Sequence, residues 1–370
     1  MSKKYAVRRV SRASVGIGIV GCGNAAEALH LPILHRLDAR VVALADPQPD
    51  ALAHIGDRFG VDRRYRDPAE LLDDPEVEVI AVLTPPEIRA EVVIPCLEAG
   101  KHVLVEKPLA LTVSECDTIV EASARRPHLR AMFGLPLRFH RLVRAAREFM
   151  ATGRLGTPNA MHTAHFGPMS EVAPGRELSG WRFDRDRGGG TLLDKGIHQY
   201  DLWRFLLGRE VAEITTVTRL EERADQASVV TARLEGGAIA STLIATSEEA
   251  CTRVSIHGSG GRLDIDAHRF DGLSFQPIER FSGSPRTRLA EAGAAIRSLP
   301  QGIRALRLGG DFSRSYEHEW RHFLDCIRGE AKLESTLHDG REATRLALAA
   351  IESADRGASV ELAARDPSGR

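Results

Sequence analysis

Two short stretches of the chain carry side chains suited to moving a proton and a hydride. Lys107 stands in Glu106-Lys107-Pro108, directly after the apolar run Val103-Leu104-Val105, and Asp194 precedes His198 by four residues. A histidine titrates near neutral pH and can take a proton from a hydroxyl group. A lysine ammonium can stabilise the alkoxide that forms. These residue types fit the oxidation of an alcohol.

Each stretch alone has an ordinary explanation. A lone lysine is more often a surface residue, and an Asp/His pair on a helix is more often structural. However, Pro108 restricts the backbone of Lys107 to extended conformations, and Gly188-Gly189-Gly190 ahead of Asp194 lets the backbone approach a ring closely. The spacing also predicts Asp194 and His198 on one face of a helix. Together these features favour a catalytic site.

A glycine turn, Gly21-x-Gly23-x-x-Ala26, follows an apolar run and precedes a helical stretch. In that context Gly21 permits a tight turn, Gly23 lets the backbone approach a pyrophosphate, and Ala26 lets helix and strand pack closely. Asp46 lies 20 residues after Ala26, where a carboxylate accepts hydrogen bonds from ribose hydroxyls and repels a 2′-phosphate. The pattern predicts NAD as cofactor; the alternative is a turn aspartate before Pro47.

The elements that must position these residues alternate between strand and helix. Apolar runs predict strands at residues 15–20, 40–45, 77–83 and 102–105, with helices from the glycine turn to about 37, at 50–59 and up to 99. This alternation predicts a Rossmann-type, doubly wound parallel sheet in an α/β domain.

The pattern changes near Arg138. Helices are predicted at 141–151, 192–207, about 316–328 and about 340–356, and strands at 159–166, 211–220, 228–235, 238–246, 253–257 and 262–266. Gly236-Gly237 is a good two-residue hairpin turn. We therefore predict an α+β second domain with an open, mostly antiparallel sheet.

The expected organisation has three parts. Residues 1–14 are a flexible tail, residues 15–137 the dinucleotide-binding domain, and residues 138–370 the domain for substrate binding and oligomerisation. The C-terminal helices are expected to pack back on the first domain. Residues 281–310, rich in Arg, Gly and Pro, are expected to form a mobile excursion.

Composition excludes several classes of protein. The chain has 370 residues, 43% hydrophobic and 27% charged, with a net charge of -1, so no global field favours nucleic acid or an anionic membrane. No apolar run is long enough to span a bilayer, and the basic first 14 residues lack the apolar core of a secretory signal. The five scattered cysteines suit reduced thiols. We expect a cytoplasmic protein without nucleic-acid or membrane partners. We also expect no metal, since His318 and His322 have no evident third ligand.

The motifs together resemble the Gfo/Idh/MocA family of nicotinamide-dependent oxidoreductases, which act mainly on sugars and cyclitols. The resemblance rests on Gly21-x-Gly23-x-x-Ala26, His30-x-Pro32, Asp46, Thr84-Pro85, Ala99-Gly100-Lys101-His102-Val103, Glu106-Lys107-Pro108, Gly188-Gly189-Gly190, Asp194 with His198, and Asp339-Gly340 with Ala343.

The resemblance implies a catalytic set of Lys107, Asp194 and His198, with His198 as the proton acceptor. It implies a cofactor site formed by Gly21, Gly23, Asn24, Ala25, Ala26, Asp46, Thr84, Pro85, Glu106 and Lys107. It also implies that the Lys107-Pro108 peptide is cis. The open sheet of the second domain would form the interface of a homodimer or homotetramer.

The sequence defines the substrate less closely than it defines the cofactor. Besides Lys107, Asp194 and His198, the candidate contacts to a small polyhydroxylated substrate are Arg138, His140, His165, Trp181, Arg182 and Lys195. The chain departs from the family at Pro86-Glu87-Ile88-Arg89, where Asn and His are common, and at Lys195, where an apolar residue is usual. For Lys195 a surface ion pair is favoured over contact with an anionic substrate.

Three functions fit this chain. The first is an NAD-dependent dehydrogenase that oxidises a secondary alcohol of a sugar, amino sugar, nucleotide sugar or cyclitol. The second is an NAD-dependent glycoside-cleaving enzyme that oxidises its substrate only transiently. The third is a nicotinamide-sensing binding protein without turnover, against which the presence of Lys107, Asp194 and His198 argues, because sensing requires none of them.

Overall fold

The computed structural model describes residues 15–168, 183–221, 223–278 and 310–362, together with single positions between 285 and 303. The predicted tail at residues 1–14, Trp181, Arg182 and most of the predicted excursion at 281–310 lie outside the described residues. Contacts divide the chain into two compact units.

The first unit contains a six-stranded parallel sheet. Its strands are β1 (Gly16–Val20), β2 (Arg40–Ala45), β3 (Arg63–Tyr65), β4 (Val79–Val82), β5 (His102–Val105) and β6 (Ala131–Phe133). Their order in the sheet is β3-β2-β1-β4-β5-β6. Every residue of β1 and β4 is buried, as expected for strands covered on both faces. The order reverses between β1 and β4, and dinucleotides bind at such a switch point. The predicted doubly wound sheet is confirmed.

Five helices connect these strands: α1 (Leu31–Arg36), α2 (Pro49–Phe59), α3 (Pro68–Leu72), α4 (Arg89–Glu98) and α5 (Val113–Ala124). The helix predicted to run from the glycine turn to about residue 37 is irregular. A π-helical turn, Ala26–His30, precedes α1, and the Leu31 amide donates to the Ala26 carbonyl five residues back. Pro32 has no N–H to donate, so a regular α-helical ladder cannot continue through it.

The second unit contains an eight-stranded sheet. Its strands are β7 (Pro158–Gly167), β8 (Val211–Glu221), β9 (Ala224–Leu234), β10 (Ile239–Thr246), β11 (Cys251–Gly258), β12 (Gly261–Asp266), β13 (Leu273–Pro277) and β14 (Val360–Glu361). The order is β13-β12-β11-β7-β10-β9-β8-β14. All pairs are antiparallel except β7 with β10. The predicted, mostly antiparallel sheet is confirmed. The turn between β9 and β10 is longer than the two residues predicted: it spans residues 235–238, with Gly236 and Gly237 at positive φ.

One face of this sheet is covered by helices of the same unit, α6 (Arg141–Ala151), α7 (Thr191–Asp194) and α8 (Gly196–Leu207). α8 packs on β7 and β10, and α7 packs on β9. Burial alternates along most of the length of β7 to β12, so that Val230 is fully buried whereas its neighbour Val229 is 45% exposed. Among the described residues, the face of the sheet opposite these helices is therefore left uncovered.

Two further helices, α9 (Asp311–Ile327) and α10 (Leu337–Arg356), close the chain. Tyr316–Thr344, which covers most of α9 and the start of α10, belongs to the first compact unit. Within that unit, Met132 of β6 forms an isolated β-bridge with Thr336. Within the described residues, no helix combines the length and apolar character that a membrane crossing requires.

Candidate active site

In the turn after β1, positions 21 and 23 are occupied by glycine for different reasons. Gly21 has φ +100°, and a Cβ there would lie 2.8 Å from the carbonyl carbon of Leu83, so conformation and space both require glycine. A Cβ at Gly23 would meet no atom of the described residues within 4 Å. The protein itself does not require glycine at position 23, whereas close approach of a phosphate group would. The residues fit the dinucleotide that the sequence predicts.

Asp46 lies at the end of β2 against this turn. Its Oδ2 accepts the Cys22 amide at 2.7 Å, and its Oδ1 accepts the Gln48 amide at 2.9 Å. The second bond is the local one that a turn aspartate makes, whereas the first holds the carboxylate against the glycine turn. Each carboxylate oxygen retains a further lone pair for a ribose hydroxyl. Burial, together with the charge of Asp46, raises the pKa of the Cys22 thiol to about 12.

Lys107 lies in the turn after β5, and the Lys107-Pro108 peptide is cis, as the resemblance implied. The Glu106 carboxylate holds this turn: its Oε1 lies 3.0 Å from His30 Nε2, and its Oε2 accepts the Lys107 amide at 3.1 Å. Burial alone would raise the pKa of Glu106. The hydrogen bond with His30 and the charges of Lys107 and Arg89 outweigh burial and lower that pKa to about 2. Glu106 is therefore ionised at neutral pH.

Arg89 holds the same turn from its backbone side. Its guanidinium donates to the Glu106 carbonyl at 2.7 Å and also to the carbonyls of Pro108 and Thr84. Only 3% of Arg89 is exposed, and burial lowers its pKa to about 10, so it remains a cation at neutral pH. In the sequence Arg89 stands out only as a departure from the family pattern, and its contacts with these carbonyl groups were not predicted.

The segment that carries Asp194 and His198 differs from the prediction. Instead of one helix over 192–207, Asp194 ends α7 and His198 is the third residue of α8, with Lys195 at φ −102° between the helices. Gly196 follows Lys195, and glycine weakens a helix at an interior position. Asp194 is buried and His198 half-buried. The spacing rule for a continuous helix therefore does not place these two side chains, and their catalytic roles stay predictions.

The expectation of a surface ion pair for Lys195 is wrong, because only 4% of this residue is exposed. Its Nζ donates to the carbonyls of Gly167 at 2.7 Å and Pro168 at 3.0 Å. Hydrogen bonds to carbonyl oxygens offset part of the cost of burying an ammonium group. Lys195 therefore ties the break between α7 and α8 to the end of β7.

Asp225, on β9, anchors the start of α7 and was also missed. Its Oδ2 accepts the Thr191 hydroxyl at 2.7 Å and the Leu192 amide at 2.6 Å. Gly190, at φ +87°, would place a Cβ 2.5 Å from Asp225 Oδ1. The sequence predicts that a ring approaches the glycine run closely. At Gly190, the group that approaches is the Asp225 carboxylate.

Two of the predicted substrate residues have structural partners. The Arg138 guanidinium forms a two-pronged pair with the Asp201 carboxylate at 2.8 and 2.6 Å, and both residues are buried. His140 caps α6 by accepting the Leu142 amide on Nδ1 at 3.3 Å. Burial lowers the pKa of His140 to about 4, so it is neutral at neutral pH.

His165 lies on β7, on the helix-covered face of the sheet, and is 4% exposed. Its Nδ1 lies 2.9 Å from the Thr252 hydroxyl oxygen. Trp181 and Arg182 lie outside the described residues. The substrate contacts of all these residues stay predictions.

Comparison with known proteins agrees with both compact units. Residues 15–134 match a family model, GFO_IDH_MocA, described as an oxidoreductase family with an NAD-binding Rossmann fold, and residues 143–264 match the GFO/IDH/MocA C-terminal domain. The chain is 29% identical over 262 residues to myo-inositol 2-dehydrogenase of Thermotoga maritima, covering 68% of this chain and 75% of the relative. It is 27% identical over 351 residues to 1,5-anhydro-D-fructose reductase of Ensifer adhaerens, covering 93% and 98%.

A solved structure is similar over nearly the whole chain. It is that of an oxidoreductase domain protein from Kribbella flavida, with a TM-score of 0.76, 26% identity, and coverage of 95% of this chain and 100% of that one.

Proposed function

The chain belongs to the Gfo/Idh/MocA oxidoreductase family and contains its NAD-binding Rossmann fold, and from that premise we propose that it oxidises a secondary alcohol of a sugar or cyclitol to a ketone. Amino sugars and nucleotide sugars belong to the same proposed substrate class. One observation carries the proposal: Lys107 stands on a turn held from one side by the ionised Glu106 and from the other by Arg89. A lysine carried on a fixed turn is suited to stabilise a developing alkoxide.

NAD supplies a hydride acceptor when it is bound. We propose that Gly21, Gly23 and the helix start at Asn24 and Ala25 hold its pyrophosphate, and that Asp46 holds the adenosine ribose. Thr84 and Pro85 follow β4 at the switch point of the sheet, where the family pattern places further cofactor contacts. Thr84 is buried, and its hydroxyl has no hydrogen-bond partner among the described residues, which leaves it available to a ligand.

In the proposed reaction His198 takes the proton of the substrate hydroxyl, Lys107 donates a hydrogen bond to the oxygen, and Asp194 holds neighbouring hydroxyls. The carbinol carbon loses its hydrogen with two electrons as hydride, the oxygen loses its proton, and a carbonyl double bond forms. The same groups can act in reverse, so the arrangement serves reduction equally well.

We further propose that the enzyme acts in the cytoplasm as a homodimer or homotetramer built on the open face of the second sheet. Exposed apolar residues lie on that face, including Val217 at 73% and Val229 at 45% exposure. An apolar face of this kind is often covered by another chain.

A substrate screen with NAD tests the proposal. NADH formation is measured with inositols, hexoses, amino sugars and nucleotide sugars, NADH consumption with 1,5-anhydro-D-fructose, and sugar release with a set of glycosides. Steady accumulation of NADH with at least one polyol is the expected result. Release of sugar from a glycoside without net NADH would instead identify the glycoside-cleaving enzyme. NAD binding without any turnover across the panel would favour the sensing protein.

A further inference from the structure

Three side chains of the second unit form a continuous chain from the buried face of the sheet to its edge. His165 Nδ1 lies 2.9 Å from the Thr252 hydroxyl oxygen, and His268 Nε2 lies 3.3 Å from the same oxygen. His165 is 4% and Thr252 2% exposed, whereas His268 is exposed. One hydroxyl group therefore bridges a buried imidazole and an imidazole in contact with solvent.

The chain is held in place by the backbone. His165 and Thr252 stand directly opposite each other in the pairing of β7 with β11. The Thr252 carbonyl accepts the Ala267 amide at 2.9 Å, which brings the segment after β12 back to β11. The His268 ring stacks on Phe312 with a centroid distance of 5.6 Å and an interplanar angle of 15°. The three polar groups are thus positioned independently of any ligand.

A threonine hydroxyl can donate one hydrogen bond and accept another at the same time. When His165 takes a proton on Nε2, it can pass its Nδ1 proton to the Thr252 oxygen. The Thr252 hydroxyl proton can then move to His268 Nε2, and His268 can release its Nδ1 proton to water. One proton enters and one leaves, and no electrons are transferred. If the Thr252 hydroxyl served only to stabilise the fold, a hydrogen bond with one of the two imidazoles would be enough.

Beside His268 lies a cavity of about 340 Å³ that is also lined by Asp271 and Asp311. A cavity of this size can hold several water molecules, and the carboxylates of Asp271 and Asp311 offer them hydrogen-bond acceptors. Water at the outer imidazole is the final acceptor that such a chain requires.

We propose that His165, Thr252 and His268 form the path by which the proton released in alcohol oxidation leaves for solvent. The inference rests on the proposed function, because each hydride removed from an alcohol leaves one proton that must depart before the base can act again. In this path the proton passes from the proposed base His198, on the helix α8 that packs on β7, to the predicted substrate contact His165 at the entry, and it leaves at His268.

The test compares Thr252→Val with Thr163→Val. Both substitutions replace a buried threonine on the same sheet by an isosteric residue. Thr163 is fully buried on β7, two residues before His165, and its hydroxyl has no partner among the described residues. Thr163→Val therefore controls for the change in packing without interrupting a proton path. His268→Gln, at an exposed position, serves as a second variant that does not threaten folding.

The first measurement uses the cofactor-free protein labelled with ¹⁵N-histidine. Nuclear magnetic resonance reports the exchange of the His165 ring proton with water. We expect exchange to slow about tenfold or more in Thr252→Val and His268→Gln, as for loss of a positioned proton-transfer group, and to stay unchanged in Thr163→Val. Equal exchange rates in Thr252→Val and the wild type would overturn the path.

The second measurement is kcat for NADH formation with myo-inositol, or with the polyol of the screen that is oxidised fastest. We expect kcat to fall about tenfold or more in Thr252→Val and His268→Gln, to recover in part when free imidazole is added, and to keep its wild-type value in Thr163→Val. A wild-type kcat in Thr252→Val would overturn the proton path but not the proposed function. Absence of NADH formation by the wild type would overturn the proposed function, and with it the role of these residues in releasing a proton.

Discussion

The indole N–H of Trp320 donates to Nδ1 of His30 at 3.0 Å, although the two residues are 290 positions apart in the chain. An indole nitrogen can only donate, so Nδ1 must accept, and the ring proton resides on Nε2. That proton is donated to Oε1 of Glu106 at 3.0 Å. Hydrogen bonds on both ring nitrogens therefore hold His30 in one orientation, and His30 fixes the carboxylate that in turn accepts the Lys107 amide. A residue of the closing helix α9 thus determines how the Lys107 turn is supported.

Lys107→Ala and His198→Ala should each abolish most turnover while NAD binding stays nearly intact. Loss of a positioned acid or base typically costs about 10²–10⁴ in rate, and loss of a donor to the oxyanion about 10²–10³. Because both residues serve one proton transfer, the double variant should be far less impaired than the product of the single effects. The measurements are kcat and, by calorimetry, NAD affinity. If His198→Ala keeps more than about a tenth of wild-type kcat, the base lies elsewhere, with His165 and His140 the first candidates.

The enzyme should prefer NAD to NADP by roughly tenfold to a thousandfold in kcat/KM, because the carboxylate of Asp46 would face a 2′-phosphate without a compensating charge. Pro47-Gln48-Pro49 offers no arginine for this purpose. Asp46→Ser should reduce the preference, mainly by improving use of NADP. Asp50→Ser, in the first turn of α2, is the control. Equal kcat/KM for the two cofactors in the wild type would contradict the role of Asp46.

Arg89→Lys should lower kcat by about tenfold to a hundredfold, a loss comparable with removal of one donor at an oxyanion. A lysine keeps the positive charge but cannot donate simultaneously to the carbonyls of Thr84, Glu106 and Pro108 in the planar arrangement of a guanidinium. The Lys107 turn should loosen, whereas NAD affinity should change less than kcat. Arg125→Lys, at an exposed position, is the matched control. An unchanged kcat in Arg89→Lys would show that Arg89 does not position this turn.

Glu319→Gln should stabilise the protein at neutral and higher pH. Burial, and next the charge of Glu106, raise the pKa of Glu319 well above its ordinary value. A group with a raised folded-state pKa contributes stability below its unfolded pKa, and that stability is lost as pH rises through the folded-state pKa. Glutamine is neutral at every pH. Tm of Glu319→Gln should therefore exceed that of the wild type at pH 8, by roughly 1–2 °C for each kcal/mol in a chain of this length, and the two values should converge near pH 4. A constant difference across this range would contradict a protonated Glu319.

The wild type should be a dimer or tetramer by light scattering at micromolar concentration. Val217→Glu should weaken the assembly, since Val217, paired with Val229 on the open face of the sheet, would bring a charge into an apolar interface. Ile278→Glu is the control, because both residues are 73% exposed but Ile278 lies just beyond β13 at the far edge. A monomeric wild type, or equal effects of the two substitutions, would exclude this interface.

The sequence by itself determined the elements whose signals are local. The strands at 40–45 and 102–105 and the helix at 141–151 have the predicted bounds, because an uninterrupted apolar run or a helical period bounded by turn residues specifies a buried element. The glycine turn and Asp46 were identifiable for the same reason, since their spacing along the chain carries the signal. The capping box Thr112-x-x-Glu115 was equally readable and would have revealed α5.

The tertiary structure decided which partner each polar group takes. The three-residue strands β3 and β6 are too short to carry a period, and they form only because neighbouring strands present free backbone groups. From the sequence, Lys195 is expected at the surface. In the fold, carbonyl oxygens at the end of β7 accept hydrogen bonds from its ammonium group, so it can be buried. Asp225 lies 33 residues from the amide that it caps, and Thr252 lies 87 residues from His165. A hydrogen bond depends on distance and angle in space, and residues so far apart in the chain acquire both only when the sheet assembles.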